Sequence, residues 1–383
     1  MKVVIIGAGV AGLAIGWKLA VGGAKVVVLE RAQVGNGATL VSGGMLAATA
    51  ELGSVSSPDA DFARQANALW PDFAAALEAQ SGFAIGYRRN GALLLRLKGE
   101  AARPEGPLSG ERTALTADAA RQMEPLLGAE IENAIFAPHE AQVDSQALCR
   151  ALAVCFVQAG GEVRATETAV RFELTGGRVT GVVTPFTTHR ADAFVIAAGA
   201  WSARIEGLPP EAVPPVVPVK GEIIVLSPPA GVAVPSHVVW GNGVYIVPRR
   251  ERVLVGATME LAGFDTSLTK SALTWLRRQA EGLMPSLKDW RLSEHWAGLR
   301  PAAPDGLPLL GQSVDGLFVA SGQYRNGILF APAVADVLSR LILERIAVDP
   351  AFDPRRFAGT KSPLIVPQTP HKEGGNGAWP TVS

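Results

Sequence analysis

The chain opens on an apolar run, Val3-Val4-Ile5-Ile6, that breaks at once into Gly7-Ala8-Gly9-Val10-Ala11-Gly12. A short apolar run bounded by glycine reads as a buried parallel strand. The stretch that follows to about Val21 reads as a helix, and Gly22-Gly23 ends it. A second apolar run, "KVVVL", closes on the acidic Glu30. The pattern predicts strand, tight turn, helix, strand within the first 30 residues.

Farther along, helical periodicity predicts helices over 58–81, 116–127, 144–160 and 268–283. Alternating and apolar runs predict a strand pair over 86–96 with a turn at Asn90-Gly91, and strands over 131–144. More strands are expected over 160–184, turning at Gly176-Gly177, with a buried strand running into a glycine turn over 191–202. Residues 217–260 are strand-rich with hairpin turns, and 99–112 form a polar loop. The α/β-like pieces fall near 1–80, 143–213 and 300–348, with strand-dense pieces between them. The fold class this predicts is α/β with an α+β second domain. A Rossmann-like dinucleotide-binding domain spans 1–81, 143–213 and 300–360. An inserted, mostly antiparallel substrate domain spans 82–142 and 214–299, and 361–383 form a flexible tail.

A length of 383 residues agrees with two domains. Hydrophobic residues are 48% and charged residues 18%, with zero formal net charge, so neither nucleic acid nor an anionic membrane is an expected partner. No apolar run is long enough to span a bilayer. The glycines at 7, 9, 12 and 16 break the first apolar run too often for a secretory signal. Cys149 and Cys155 stand six residues apart on one helix, about 9 Å along its axis at ~1.5 Å per residue, too far for a disulfide. Reduced thiols point to a cytoplasmic protein. No Cys/His cluster has metal-ligand spacing, and no Walker A or G-x-S-x-G motif occurs. The sequence leaves the oligomeric state open, a homo-oligomer included.

Each glycine of G-x-G-x-x-G has its own task. Gly7 permits the turn, Gly9 lets a pyrophosphate approach the backbone, and Gly12 lets the helix pack on the strand. The helix start offers unpaired N–H groups to phosphate. Glu30, 18 residues beyond Gly12, is placed to accept from ribose hydroxyls, and an acid there disfavours a 2′-phosphorylated cofactor. The small-residue run over 35–53, with Ser42-Gly43-Gly44-Met45, suits a backbone passing close to a large flat ring, which favours a flavin over a nicotinamide.

Arg300, in "GLRPAAP", has no acidic residue for five positions before it or four after. A guanidinium with no local partner is a candidate fork for a substrate carboxylate. Tyr245, one of only three tyrosines, sits between Val244 and Ile246 on a strand and is a second candidate. Arg325 reads either as a ligand or as a brace beside the cofactor. His295 reads as a packed histidine beside Trp296. Trp240, Phe264 and Tyr324 are candidate pocket walls.

Seven landmarks together resemble the D-amino-acid oxidase superfamily of FAD enzymes, and within it the glycine oxidase branch associated with thiamine biosynthesis. They are "VVIIGAGVAGLAIGWKLAVGGAKVVVLE", "VSGGML", "VDSQALCRAL", "VIAAGAWS", "VYIVPRRERVLVGATME", "WAGLRPAAPDGLPLLG" and "GQYRNGILFAPAVA". The resemblance covers about residues 2–345 and departs from the family pattern at Ala302-Ala303-Pro304. It implies non-covalent FAD, with Gly7, Gly9, Val10, Ala11 and Gly12 at the pyrophosphate and Glu30 on the adenosine ribose. Val170 would meet the adenine through its backbone. Ser42, Gly43, Gly44 and Met45 would lie along the flavin, and Gly327, Ile328 and Leu329 would offer N–H groups to its carbonyl. Arg31, Gly199, Gly322, Arg325 and Asn326 complete the implied cofactor set. Tyr245 and Arg300 would bind the substrate carboxylate, with Met259 and Arg325 lining the same pocket.

The implied reaction is oxidation of glycine or a related small or N-substituted amino acid. Hydride passes from Cα to flavin N5, the imine hydrolyses, and dioxygen reoxidises the flavin to give hydrogen peroxide. The alternatives are a D-amino-acid oxidase or dehydrogenase acting on a bulkier substrate, and a secondary-amine oxidase in a biosynthetic pathway. A decayed flavin-binding scaffold would be expected to lose Arg300 and Tyr245, and both are present. No histidine precedes residue 139, and both cysteines lie on a helix expected in the outer layer, so no covalent tether is expected.

Overall fold

The first apolar run is strand β1 (Lys2–Ile6), the centre of a six-stranded sheet. β2 (Lys25–Leu29) and β12 (Ala193–Ile196) flank it, both parallel. β8 (Glu162–Arg164) lies outside β2, and β19 (Leu317–Ser321) outside β12, again parallel. β18 (Leu309–Val314) closes the edge antiparallel. Both faces of this sheet are covered, which is why β1 is apolar at every position from Val3 to Ile6 rather than alternating. Val3 and Ile5 pack with helices α1 (Val10–Val21), α2 (Pro58–Ser81), α4 (Ser145–Gln158) and α6 (Ala331–Glu344). Val4 and Ile6 pack on the other side with Phe172, Val179 and Val182 of a three-stranded sheet. That sheet is β9 (Arg171–Thr175), β10 (Arg178–Val183) and β11 (Thr188–Arg190). In this computed structural model, residues 1–49, 57–100 and 112–358 are described. The expected tail over 361–383, most of the polar loop over 99–112, and positions 50–53 of the small-residue run lie outside them.

The second sheet has eight strands in the order β17-β13-β16-β15-β14-β4-β6-β5. Its strands are β4 (Ala92–Leu97), β5 (Thr113–Thr116), β6 (Ile131–Ala137), β13 (Val217–Ser227), β14 (Val238–Gly241), β15 (Val244–Arg249), β16 (Arg252–Gly256) and β17 (Arg291–Ala302). Every pairing is antiparallel except β14 with β4. One face buries Ile224, Leu226, Val253 and Val255 against α5 (Lys270–Leu283), and Ala120 of α3 (Ala117–Met123) joins the same cluster. A short ribbon, β3 (Met45–Leu46) with β7 (Ala141–Gln142), connects the two sheets.

Three sequence expectations change. The Asn90-Gly91 hairpin does not form: Arg88 bridges to Gln142, the Gly91 N–H goes to the Glu140 carbonyl, and β4 pairs with β6. A distant segment outcompetes the local turn. β17 carries Arg300–Ala302 on the antiparallel sheet, across the domain boundary expected at 299/300. The helix with both cysteines is no outer layer. Cys149 and Cys155 are buried, and both belong to the core cluster that α4 shares with α1 and α2. Among the described residues no helix is long and apolar enough to cross a membrane.

Candidate active site

Four parallel strands deliver their C-terminal ends to one edge of the first sheet, the place where open α/β sheets hold ligands. β1 leads into Gly7–Gly12, β2 into Glu30 and Arg31, β12 into Gly199, and β19 into Gly322–Leu329. Gly7 has φ +109°, and a Cβ there would collide with the Ala197 carbonyl. A Cβ on Gly12 would overlap the Gly7 carbonyl oxygen. Gly9 differs: a Cβ there meets only Thr39 Oγ1, at 3.4 Å, so its outer side is open. The Val10 N–H donates to Thr39 Oγ1 at 3.1 Å, whereas the N–H groups of Gly9, Ala11 and Gly12 have no acceptor among the described residues. That is the donor set a pyrophosphate needs. The Glu30 carboxylate accepts from the N–H groups of Ala8 (2.9 Å) and Ala32 (3.0 Å), bracing the glycine turn. Arg31 lies over the Trp201 ring, 3.5 Å from its centroid.

Past β19, Gly322 (φ +73°) turns the chain, and the Asn326 N–H caps back to the Gln323 carbonyl at 2.9 Å. The next three N–H groups, of Gly327, Ile328 and Leu329, have no acceptor among the described residues. The amide nitrogen of Gln323, a residue 6% exposed, is also unpartnered. Orphaned donors inside a protein are costly unless a ligand meets them. Together with the open side of Gly9, they fit FAD. Gly199 (φ +54°) starts a short 3₁₀ turn, and its carbonyl accepts from Ser202 and Ser321.

The Ser42–Met45 segment is held by a residue the sequence reading missed. Arg249, at the end of β15, is 9% exposed. Its guanidinium donates to the carbonyls of Gly43 (2.6 Å), Val143 (2.9 Å) and Pro248 (3.1 Å), and to the Gln142 amide oxygen. Burial pushes it down to about 10, opposed by the Asp144 carboxylate, so it stays charged at neutral pH. Among the described residues its charge is met by carbonyl dipoles and no ion pair, and it rivets the small-residue segment to the second sheet. Ser42 Oγ accepts from the Gly44 N–H, and Met45 Sδ accepts from Trp240 Nε1.

Strand register decides which side chains face that segment. Tyr245 pairs with Gly256, Gly256 with Ile223, and Ile223 with Trp296, so these positions share a face. Arg300, four residues on from Trp296 with no intervening register shift, lies on the same face. The Tyr245 ring lies so near Gly43 that a Cβ there would be 3.2 Å from its hydroxyl. The Arg300 guanidinium lies across β13 above Gly221, where any Cβ would fall inside it. Its Nη1 donates to the Thr258 carbonyl at 3.0 Å and approaches the Lys220 carbonyl at 3.5 Å. No carboxylate partners it among the described residues, and its Nε–Nη2 edge has no acceptor there. Met259 is buried, and Tyr324 Oη donates to its Sδ at 3.0 Å. Arg325 follows Tyr324, its guanidinium 5.9 Å from that ring's centroid.

Several other candidate residues lie off this sheet face. Both backbone groups of Val170 are engaged, its N–H with the Val183 carbonyl and its carbonyl with the Glu206 N–H. Its side chain is exposed, and Glu167 beside it is held by His189 and Thr184. Phe264 is no wall of this face: its ring packs tilted at 42° against Trp201, centroids 5.6 Å apart, under Arg204. His295 lies on the opposite face, its Nε2 2.8 Å from Glu222 Oε2 without the angle of a hydrogen bond. Cys149 Sγ points at the Ala8 carbonyl beneath the glycine turn, and burial pushes its pKa up to about 12. Among the described residues no group of His, Cys, Asp and Glu could hold a metal.

A family model described as FAD dependent oxidoreductase (DAO) matches residues 2–341. The glycine oxidase of Geobacillus kaustophilus is 34% identical over 383 residues, covering 94% of this chain and 96% of that protein. Its crystal structure superposes with a TM-score of 0.82 over 92% of this chain and 98% of that one. A bifunctional ThiO/ThiG protein of Nostoc sp. is 36% identical over 90% of this chain, which spans only 53% of that longer protein. The crystal structure of an iminodiacetate oxidase from Chelativorans sp. BNC1, 27% identical, has a TM-score of 0.80 over 92% of this chain and 98% of that one.

Proposed function

The chain belongs to the DAO family of FAD dependent oxidoreductases, and from that premise we propose that it catalyses oxidative deamination of glycine or a related small or N-substituted amino acid. One observation carries this reading. The Nε–Nη2 edge of Arg300 has no acceptor among the described residues, and it lies on the sheet face that meets Ser42–Met45. A planar guanidinium of this kind takes a carboxylate through two parallel hydrogen bonds. The relatives named glycine oxidase support the small substrate.

When bound non-covalently, FAD supplies the two-electron acceptor and the route to dioxygen. The chain's part is orientation. Arg300 holds the substrate carboxylate, with Nη1 anchored on the Thr258 carbonyl so that the remaining edge keeps one direction. The Tyr245 phenol and the buried Met259 bound the space beside it. His295 faces away, so the histidine nearest Arg300 in sequence supplies no base. The substrate's own neutral amine takes the positive charge as the Cα–H bond breaks, and water then hydrolyses the released imine.

The iminodiacetate oxidase similarity favours an N-substituted glycine as the second reading. Oxygen uptake and peroxide formation by the FAD-loaded protein on glycine, sarcosine, iminodiacetate, D-alanine and L-alanine separate the two. Fastest turnover of glycine supports the first reading, and of sarcosine or iminodiacetate the second. An inert glycine series beside rapid D-alanine oxidation contradicts both.

Gly221→Ala is expected to displace the guanidinium, because the new Cβ falls among its atoms. The expected result is a KM for glycine raised about tenfold or more, given that small displacements in a site cost one to two decades. Steady-state kinetics of that variant provide the check.

A further inference from the structure

Behind the Arg300 clamp, on the opposite face of β13, lies a buried charged pair that the reaction does not use. Lys220 is 1% exposed and Glu222 is 0% exposed, with Nζ 3.0 Å from Oε1. We propose that this pair is the positioning element of the carboxylate clamp, fixing through backbone the two carbonyls that orient Arg300.

The connections can be followed bond by bond. One carbonyl facing Arg300 Nη1 belongs to Lys220 itself, and the other to Thr258, which lies beyond the end of β16. Thr258 is held by Glu222: its N–H donates to the Glu222 carbonyl at 3.2 Å, and its hydroxyl accepts from the Glu222 N–H at 2.9 Å. Two residues on, Glu260 exchanges both backbone hydrogen bonds with Lys220, at 2.9 and 3.0 Å. The far end of the same loop is tied by the side chains. Lys220 Nζ donates to the Ser267 carbonyl at 2.5 Å. The Glu222 carboxylate accepts from the Thr269 N–H (3.1 Å) and hydroxyl (3.0 Å), where Thr269 caps α5. Both ends of the 258–269 loop, which carries Met259, thus hang on two residues of one strand. Burial pushes the Glu222 carboxyl up, but the bonds from Thr269 and Lys220 outweigh it and leave it ionised at neutral pH. A buried ion pair is seldom more stabilising than apolar residues of similar size, so its geometry is the feature to explain.

The proposal rests on the carboxylate-binding role of Arg300 given above, and the test separates the two. Lys220→Met, Glu222→Gln and the double variant are compared with wild type for Tm, for kcat and KM on glycine, and for acetate affinity of the FAD-loaded protein by calorimetry. Lys220→Met alone strands a buried carboxylate and is expected to lower Tm. The double variant removes that charge and is expected to recover Tm, which keeps the test available if the single variant does not fold. In the double variant, KM and the acetate Kd are expected to stay raised about tenfold with kcat changed less than about threefold. Recovery of KM and acetate affinity along with Tm overturns the proposal, because the pair then serves stability alone. Wild-type protein that binds acetate through Arg300 yet leaves glycine unoxidised defeats the substrate reading, while the acetate comparison still decides the positioning role. Wild-type protein that binds no acetate overturns both.

Discussion

Arg300→Ala is expected to raise KM for glycine by about two to three orders of magnitude, with far less change in kcat. Truncating one member of a desolvated, hydrogen-bonded charge pair costs about 3–5 kcal/mol, and about 1.4 kcal/mol is tenfold. The magnitude is large because the buried cations Lys220 and Arg249 are engaged elsewhere. Lys220 points to the opposite face, with its Nζ bonded to Ser267 and Glu222. Arg249 is committed to three carbonyls and an amide. Arg300→Lys should recover only part of the loss, since an ammonium lacks the planar fork. Steady-state kinetics on glycine and on an amine without a carboxylate provide the check: the defect belongs to the carboxylate substrate alone.

The second large effect concerns the glycine turn. Gly12→Ala places a methyl on the Gly7 carbonyl oxygen, and neither partner is a side chain that can rotate away. α1 must shift from β1, at a cost of about 1–3 kcal/mol or more, and the N–H groups of Gly9, Ala11 and Gly12 move with it. The expected variant has a lowered Tm and loses FAD on dialysis. Gly9→Ala separates packing from cofactor contact. Its Cβ meets only Thr39 Oγ1 at 3.4 Å, so the Tm of the FAD-free protein should be nearly unchanged while FAD affinity still falls. FAD dissociation constants and melting curves of the two variants, measured side by side, test the assignment.

These two sites differ in how visible they are in sequence. Gly7, Gly9, Gly12 and Glu30 lie within one local unit, where turn, helix start and strand end fix their places. The continuous apolar run at 3–6 likewise announced a strand buried on both faces. The Arg300 surroundings are assembled from β13, the residues after β16, and β17, and strand pairing between distant segments is not encoded locally. Even so, two signals stood in "VPVKGEIIVL". A glycine inside an apolar strand marks a close approach, here that of the guanidinium. Charges at alternate positions, Lys220 and Glu222, mark one face with a buried polar task. Asn90-Gly91 shows the reverse error: a strong local turn signal yields to pairing with residues some 50 positions away, where Gly91 meets Glu140. Arg249 and Arg250 are indistinguishable in sequence, and only the fold turns Arg249 inward.

The central claim is that a carboxylate held by Arg300 presents an amino acid to FAD. Anaerobic mixing of the purified yellow protein with glycine tests it most directly. The visible flavin band is expected to bleach on mixing and to return with peroxide when air is admitted, and Arg300→Ala is expected to need far more glycine for the same bleaching. A protein that is colourless and takes up no FAD would contradict it. So would a flavin band that glycine, sarcosine and iminodiacetate all leave unchanged.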